Sequence, residues 1–534
     1  MKKLIYVPGI CAGVVFLLLV IIIPVAVVAS NKNNSSADSS NSTSSGGGSS
    51  SDVPTAAKGT YLDPSTWLDT TDFNTTYTNE TVGGLPIMGL YSDWDDSASA
   101  NANTPPLNKP WGSYATTPAR GVNLGGWLSL EPFITPSLFN YDSKLGIIDE
   151  WTLCVHLGPT AAASTLESHY STFVTEQTFI DIANAGLDHV RIPFSYWAVA
   201  TYDDDPYVFR TSWRYLLRAI EWSRKYGLRI NLDLHGLPGS QNGWNHSGRQ
   251  GAIGWLNGSD GSLNGQRSLD IHNQLSAFFA QDRYKDILAF YGLANEPKMT
   301  ALPVSTVNGW TADAYQTVRQ NGLEAYIVFG DGFLGLPHWK GLLQNYQGLV
   351  LDVHQYVIFN IGQVGYNHSE KVDYACTGWT QQAQQSMSVS TGFGPTLFAE
   401  WSQADTDCTQ YLNDVGVGNR WTGTYNSGNP ETQVLSSICP THDTGPDCEC
   451  TDANADPSAY SSTYKEFLQM FAEAQMVSFE NGWGWFYWTW KTESAPQWSY
   501  EAGLAAGILP AKAYARDFNC TQAAPSFSGL PENY

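Results

Sequence analysis

The chain has 534 residues, 42% hydrophobic and 14% charged, enough to bury one large core or two ordinary ones. Its formal net charge of −23 argues against nucleic acid and anionic lipid surfaces as partners, because phosphate recognition needs a basic field, and leaves a neutral polymer compatible. Aromatic residues reach 13%, with 20 Trp, more than a core usually requires; the surplus offers flat apolar faces with polar tips on which sugar rings can stack.

In chain order, Lys2 and Lys3 precede an uncharged apolar run over residues 4–29. A bilayer span needs about 20 such residues, whereas a cleaved signal peptide carries about 7 to 15. The expectation is a short cytosolic tail (1–9), a single transmembrane signal-anchor (10–29) and type II topology, with the rest of the chain outside by the positive-inside rule. Cleavage near Ala29 or Ser30, giving a secreted protein, is the alternative. Residues 30–58 form a Ser/Asn/Gly tract with nothing to bury, which reads as a disordered stalk. Sequons at Asn33, Asn34, Asn41, Asn74, Asn79, Asn245, Asn257, Asn367 and Asn519 fit a secretory compartment. Residues 59–119 show no regular pattern and receive no fold; they are expected to pack across the bottom or side of the main domain.

From Arg120 onward strand-like and helical runs alternate. Strands are predicted over 121–126, 189–194, 228–235, 286–296, 325–330, 349–356, 396–401 and 484–490, with helices over 178–185, 213–226, 269–279, 312–319 and 464–479. Eight such units predict an α/β fold, a (β/α)8 TIM barrel over 120–534. A barrel of this kind takes about 250 residues, so the surplus here must lie in long βα loops.

Polar residues collect at the C-terminal ends of these strands, the rim where such barrels carry their sites. The run DILAFYGLANEP, residues 286–297, is buried-strand material that ends in Asn295, Glu296 and Pro297; the proline stops the ladder and favours an extended exit for Glu296. TLFAEWS, residues 396–402, places Glu400 in the same situation. Either acid alone is as readily a loop cap or an arginine partner, but two carboxylates on one rim suit glycoside hydrolysis. Arg191, His235, His354, Tyr356 and Trp488 share the rim, and Arg191 and Tyr356 are placed to keep a carboxylate ionised. His235 and His354 could alternatively serve a metal, but no His-x-Glu, HExxH or Cys-based spacing supports that use, and none is assigned.

Six motifs, GVNLGGWLSLEPFITPSLF, DLHGLPGSQNGWNHSG, LANEP, DVHQYVIF, FAEWSQADTDC and YWTWKTE, occur in order from residue 121 to 493 and resemble those of fungal exo-β-1,3-glucanases of glycoside hydrolase family 5. The resemblance implies Glu296 as acid/base, Glu400 as nucleophile, Asn295 as the partner of the sugar 2-hydroxyl, and Arg191 and Tyr356 as supports of the nucleophile. It further implies His235, His354 and Trp488 as site walls, Glu131 as the acid holding a terminal glucose in a blind pocket, and Trp244 and Phe359 as an aromatic clamp at the mouth. It implies retention, no cofactor, a monomer, and a β-glucan partner in the cell wall, with the membrane as a second partner through the N-terminal helix and the plasma membrane as location. Glu296 is expected to be kept protonated by neighbouring negative charge. Two departures stand out: Phe133 and Asn245 occupy positions where the family carries Tyr and Asp. A glycan on Asn245 would obstruct the entrance, so that sequon is expected to stay unmodified. A glucan transglycosylase, a β-1,6-glucanase and, with both glutamates present less favoured, a non-catalytic glucan-binding wall protein remain as alternatives.

Of eight Cys, Cys11 lies in the apolar segment and seven remain. The resemblance implies a Cys376–Cys520 bridge and a Cys408–Cys439 bridge, leaving Cys448 and Cys450 together or rearranged, and Cys154 as a buried free thiol. Spacing alone permits three pairings among Cys408, Cys439, Cys448 and Cys450.

Overall fold

The computed structural model describes residues 94–202 and 204–534, with a two-residue antiparallel pair at Thr81–Val82 and Leu85–Pro86. The expected tail, anchor, stalk and most of the 59–119 extension lie outside the described residues. No helix among the described residues is long and apolar enough to cross a membrane.

Eight parallel strands close on themselves: β1 (Ala119–Asn123), β2 (His189–Ser195), β3 (Arg229–Gly236), β4 (Leu288–Gly292), β5 (Tyr326–Gly330), β6 (Leu349–Gln355), β7 (Thr396–Trp401) and β8 (Gly484–Tyr487). Each strand pairs with its neighbours in sequence and β8 pairs with β1, the expected barrel. All residues of β2, β3, β7 and β8 are buried; β7 and β8 accordingly read as nearly continuous apolar runs, while the polar residues that alternate along β2 and β3 are buried as well and need partners there. Gly121 is required inside β1, because a Cβ there would stand 2.3 Å from the Phe486 ring that fills the barrel.

The described end of the N-terminal extension closes the bottom of the barrel. Tyr114 packs in one cluster with Ala119, Phe290, Val328, Val350, Leu397 and Phe486, and its hydroxyl lies 2.9 Å from His189 Nε2. Arg229 donates to the carbonyls of Pro106, Leu107 and Lys109, and Arg224 pairs with Asp96. The irregular sequence thus supplies a cap whose backbone acceptors are satisfied by arginines of the barrel.

The predicted helices are present with longer bounds, among them Glu176–Asn184, Thr211–Lys225, Gly261–Phe279, Val304–Gln320 and Ser462–Phe479. One long helix has no counterpart in the sequence reading: α1 (Glu150–Phe173), opened by a capping box in which Thr152 N donates to Asp149 Oδ1 at 2.8 Å and Asp149 N to Thr152 Oγ1 at 3.1 Å. Gly158, at φ 70°, and Pro159 interrupt it and disguise its periodicity.

The Cys376–Cys520 bridge is present, and Cys154 is buried and free. The remaining pairing corrects the expectation: Cys408 bonds Cys450 and Cys439 bonds Cys448. The segment between Cys448 and Cys450 is pinned by Trp421 Nε1 donating to Glu449 O at 2.9 Å and by Glu449 N donating to Asn533 O at 2.9 Å. Asn454 Nδ2 donates to Cys408 O at 3.1 Å, which brings the Cys450 end to Cys408 and leaves Cys448 to close a short loop with Cys439.

Candidate active site

The C-terminal rim of the barrel opens into a cavity of about 1170 Å³, lined by Glu131, His235, Trp244, Glu296, His354, Tyr356, Phe359, Glu400 and Trp488 among others. Arg191 and Asn295 stand behind this lining, each 2% exposed.

Arg191 organises the floor. It donates from Nη1 to Glu400 Oε1 at 2.7 Å and to Asn123 Oδ1 at 2.9 Å, and from Nη2 to Asn295 Oδ1 at 2.8 Å; Nη2 also lies 3.0 Å from Asp233 Oδ2. Burial opposes its charge, but Asp233, Glu400 and Asp352 more than offset that and raise its pKa. Tyr356 donates its hydroxyl to Glu400 Oε2 at 3.1 Å. Glu400 therefore has a partner on each oxygen, both of which favour its ionised form.

One oxygen of Glu296, one of Glu400 and a ring nitrogen of His354 lie within 4.8 Å of one another. His354 Nδ1 is 2.7 Å from Glu296 Oε1 and 3.2 Å from Glu400 Oε2, and its Nε2 is 3.3 Å from Asp352 Oδ2. Burial disfavours an imidazolium there, yet Glu400, Asp352 and Glu296 raise the His354 pKa well above its ordinary value. Glu296 answers in the opposite sense: burial pushes its carboxyl up, but the His354 bond and charge, with His246 and His235, bring it down to about 2. Glu400 is raised by burial and by Glu296, against the pull of His354 and Arg191. His354 Nδ1 and Glu296 Oε1, 2.7 Å apart, thus hold one proton between them, and these charges favour its lying toward His354. These three groups could offer ligand atoms to a cation, although the Arg191 guanidinium on Glu400 opposes one electrostatically.

Glu296 also departs from the expected extended exit. Its φ is 48°, left-handed for a residue that precedes proline, a conformation costing roughly 1–3 kcal/mol. Gln241 holds both sides of it, donating from Nε2 to Asn295 O at 2.8 Å and to His235 O at 2.7 Å while its backbone carbonyl accepts from Lys298 N at 3.1 Å. His246 Nε2, 3.4 Å from Glu296 Oε2, is a contact the sequence reading did not single out.

Walls and mouth are built from the expected residues. His235 bonds Asp233 Oδ2 through Nδ1 at 2.7 Å and stacks on Trp488, with ring centroids 5.6 Å apart. Glu131 Oε2 is buried without a partner, and burial followed by the charges of Glu400, Glu296 and Asp414 raises its pKa well above the ordinary range. Glu150, the first residue of α1, steadies the loop that carries Glu131 by accepting from Leu130 N at 3.1 Å. Phe133 packs edge-on against Trp498 at 5.0 Å, an aromatic contact where the family has a phenol. Trp244 meets Phe333 at 5.3 Å and carries Lys298 Nζ 4.9 Å above its ring, while Phe359, 42% exposed, has Arg420 5.7 Å from its ring centre. Asn245 is 4% exposed and donates from Nδ2 to Asp414 Oδ1 at 2.8 Å. Asp414 itself is pushed up to about 6, first by burial.

Known proteins share this geometry's sequence and fold. The family model for cellulase (glycosyl hydrolase family 5) matches residues 158–421, a stretch that runs from within α1 through β7 and contains both glutamates. Over that stretch the chain is similar to glycosyl hydrolase family 5. The proteins named probable glucan 1,3-beta-glucosidase D from Aspergillus fumigatus and Aspergillus niger are 62% and 60% identical over 484 residues, covering 90% of this chain. The chain spans 57% of the length of these relatives. Among solved structures, rutinosidase from Aspergillus niger superposes with a TM-score of 0.54 at 21% identity, covering 74% of this chain and 98% of its own, and AoRut with 0.54 at 20%, covering 73% and 96%. They share the barrel fold of this chain. Glu131, before the matched stretch, and Trp488, after it, line the same cavity as the two glutamates within it.

Proposed function

We propose that this chain is a retaining, exo-acting β-1,3-glucan hydrolase that releases glucose from non-reducing chain ends in the cell wall. The observation that carries the reading is the closeness of Glu296 and Glu400, which present oxygens within 4.8 Å of each other and of His354 inside the cavity. Retaining enzymes hold their carboxyl groups about 5–5.5 Å apart, and inverting ones about 6.5–9.5 Å to admit a water. The relatives' printed name, glucan 1,3-beta-glucosidase, supports the linkage.

In this reading Glu400, aligned by Arg191 and Tyr356, attacks the anomeric carbon while Glu296 protonates the departing oxygen. As bond formation consumes the charge on Glu400, the proton held across the 2.7 Å contact between His354 Nδ1 and Glu296 Oε1 passes through Glu296 to the leaving group, which leaves Glu296 as a carboxylate. Water, activated by Glu296, then hydrolyses the glycosyl-enzyme. Residues 1–9, 10–29 and 30–58 serve as cytosolic tail, membrane anchor and stalk, and the 120–534 domain faces the wall of the cell; the apolar run and the sequons support this placement.

The test is a linkage panel. Laminarin, a β-1,3-glucan, should yield glucose far faster than a linear β-1,6-glucan at equal mass. Preference for the β-1,6 polymer, or chain lengthening of laminari-oligosaccharides in place of glucose release, would replace the proposed activity with one of the alternatives.

A further inference from the structure

Asp414 belongs to the insertion after β7 that the Cys408–Cys450 bridge closes, and Asn245 belongs to the loop after β3. In a closed ring of eight strands β3 and β7 stand opposite each other, four places apart in either direction. The 2.8 Å bond from Asn245 Nδ2 to Asp414 Oδ1 therefore joins loops from opposite sides of the barrel mouth. Both residues line the cavity, as does Glu131. An open cleft that accepts the middle of a polymer cannot carry such a bridge, whereas a pocket that accepts an end can.

Asp414 is also held at φ 78°, a conformation that costs an aspartate energy and that glycine would take freely. A carboxylate kept in that strained place, with one oxygen oriented by a buried amide, is arranged for its chemistry. Lys298, whose charge reaches Asp414, and Trp244 beneath it lie on the same wall. Carboxylates are strong acceptors for pairs of sugar hydroxyls, and an unmade bond to a buried one is costly.

We infer that the Asn245–Asp414 bridge closes the cavity against internal glucan segments, and that Asp414 accepts a hydrogen bond from a hydroxyl of the terminal glucosyl unit remote from the anomeric carbon. Asp414 is thus a specificity-determining residue supplied by the insertion. The inference rests on the glycosidase reading of the site.

The test compares the full chain with Asp414→Asn and Asp414→Gly on 4-nitrophenyl β-glucoside, its 4-deoxy and 6-deoxy analogues, and 4-nitrophenyl β-laminaribioside. Asp414→Asn should lower kcat/KM for the glucoside by roughly 10- to 100-fold, the loss of a hydrogen bond to a charged group, and should erase the discrimination the wild type shows against one of the two deoxy analogues. Asp414→Gly, which relieves the backbone and so should fold, is expected to release intact laminaribiose from the bioside, which the wild type does not. Both variants within twofold of the wild type with deoxy discrimination unchanged would overturn the inference. A wild type inert on the glucoside would instead overturn the glycosidase reading, so the two failures are distinguishable.

Discussion

Replacing Glu400 with Ala is expected to reduce glucose release by on the order of 10⁴-fold or more, the loss seen when a nucleophile is removed from an otherwise intact site. The remaining architecture should survive, because Arg191 keeps Asp233 at 3.0 Å and Asn295 at 2.8 Å and is not left as an unpaired buried charge. Added azide should restore turnover of an activated aryl β-glucoside. The anion enters the space of the missing carboxylate, bonds the anomeric carbon as the aryloxide departs, and leaves an α-glucosyl azide. Mass spectrometry and NMR of the product check this; undiminished hydrolysis in the variant would remove Glu400 from its role.

The second large effect falls on Glu296. Glu296→Gln is expected to slow laminarin hydrolysis by roughly 10²- to 10⁴-fold, the range for loss of a general acid. With a 2,4-dinitrophenyl glucoside, whose leaving group needs no proton, the first step should stay fast and the second should fail, giving a burst of phenolate. His354 tests where the proton is kept. Its pKa is raised by folding and that of Glu296 is lowered to about 2, so in the wild type the pair loses its proton only when His354 does, above the ordinary imidazole value. In His354→Gln the proton must sit on Glu296, a carboxyl. The alkaline limb of kcat/KM should therefore move to lower pH, and a limb that stays in place would show that His354 does not hold the proton.

The residues at the ends of strands were legible because their signal is local. Glu296 closes an apolar run before a proline, Glu400 interrupts TLFAEW, and Arg191 sits within HVRIPF; each is costly where it stands unless a partner meets it, and Arg191 meets Glu400 directly and Asn295, the neighbour of Glu296, beside it. What the sequence concealed depends on contacts between distant loops. His246 lies one residue beyond an asparagine weighed for its sequon, and its approach to Glu296 exists only once the loop after β3 folds over β4. Asp414 and Arg420 lie in an insertion without periodicity, and only the bond to Asn245 and the placement of Arg420 beside Phe359 give them a role. Phe333 reaches Trp244 from a βα loop for the same reason. The helix α1 was hidden by the Gly158-Pro159 break, and the left-handed Glu296 by a proline rule that Gln241 overrides through three backbone contacts. The disulfide pairing was closed to spacing, which cannot see that Trp421 and Asn533 fix Glu449 between its two cysteines.

The most direct measurement is the anomeric configuration of the first sugar released from laminarin, monitored by ¹H NMR before mutarotation blurs it. The account predicts β-glucose as the sole initial product. Initial α-glucose would show inversion and contradict the paired roles of Glu296 and Glu400, and early oligosaccharides would contradict action from the chain end.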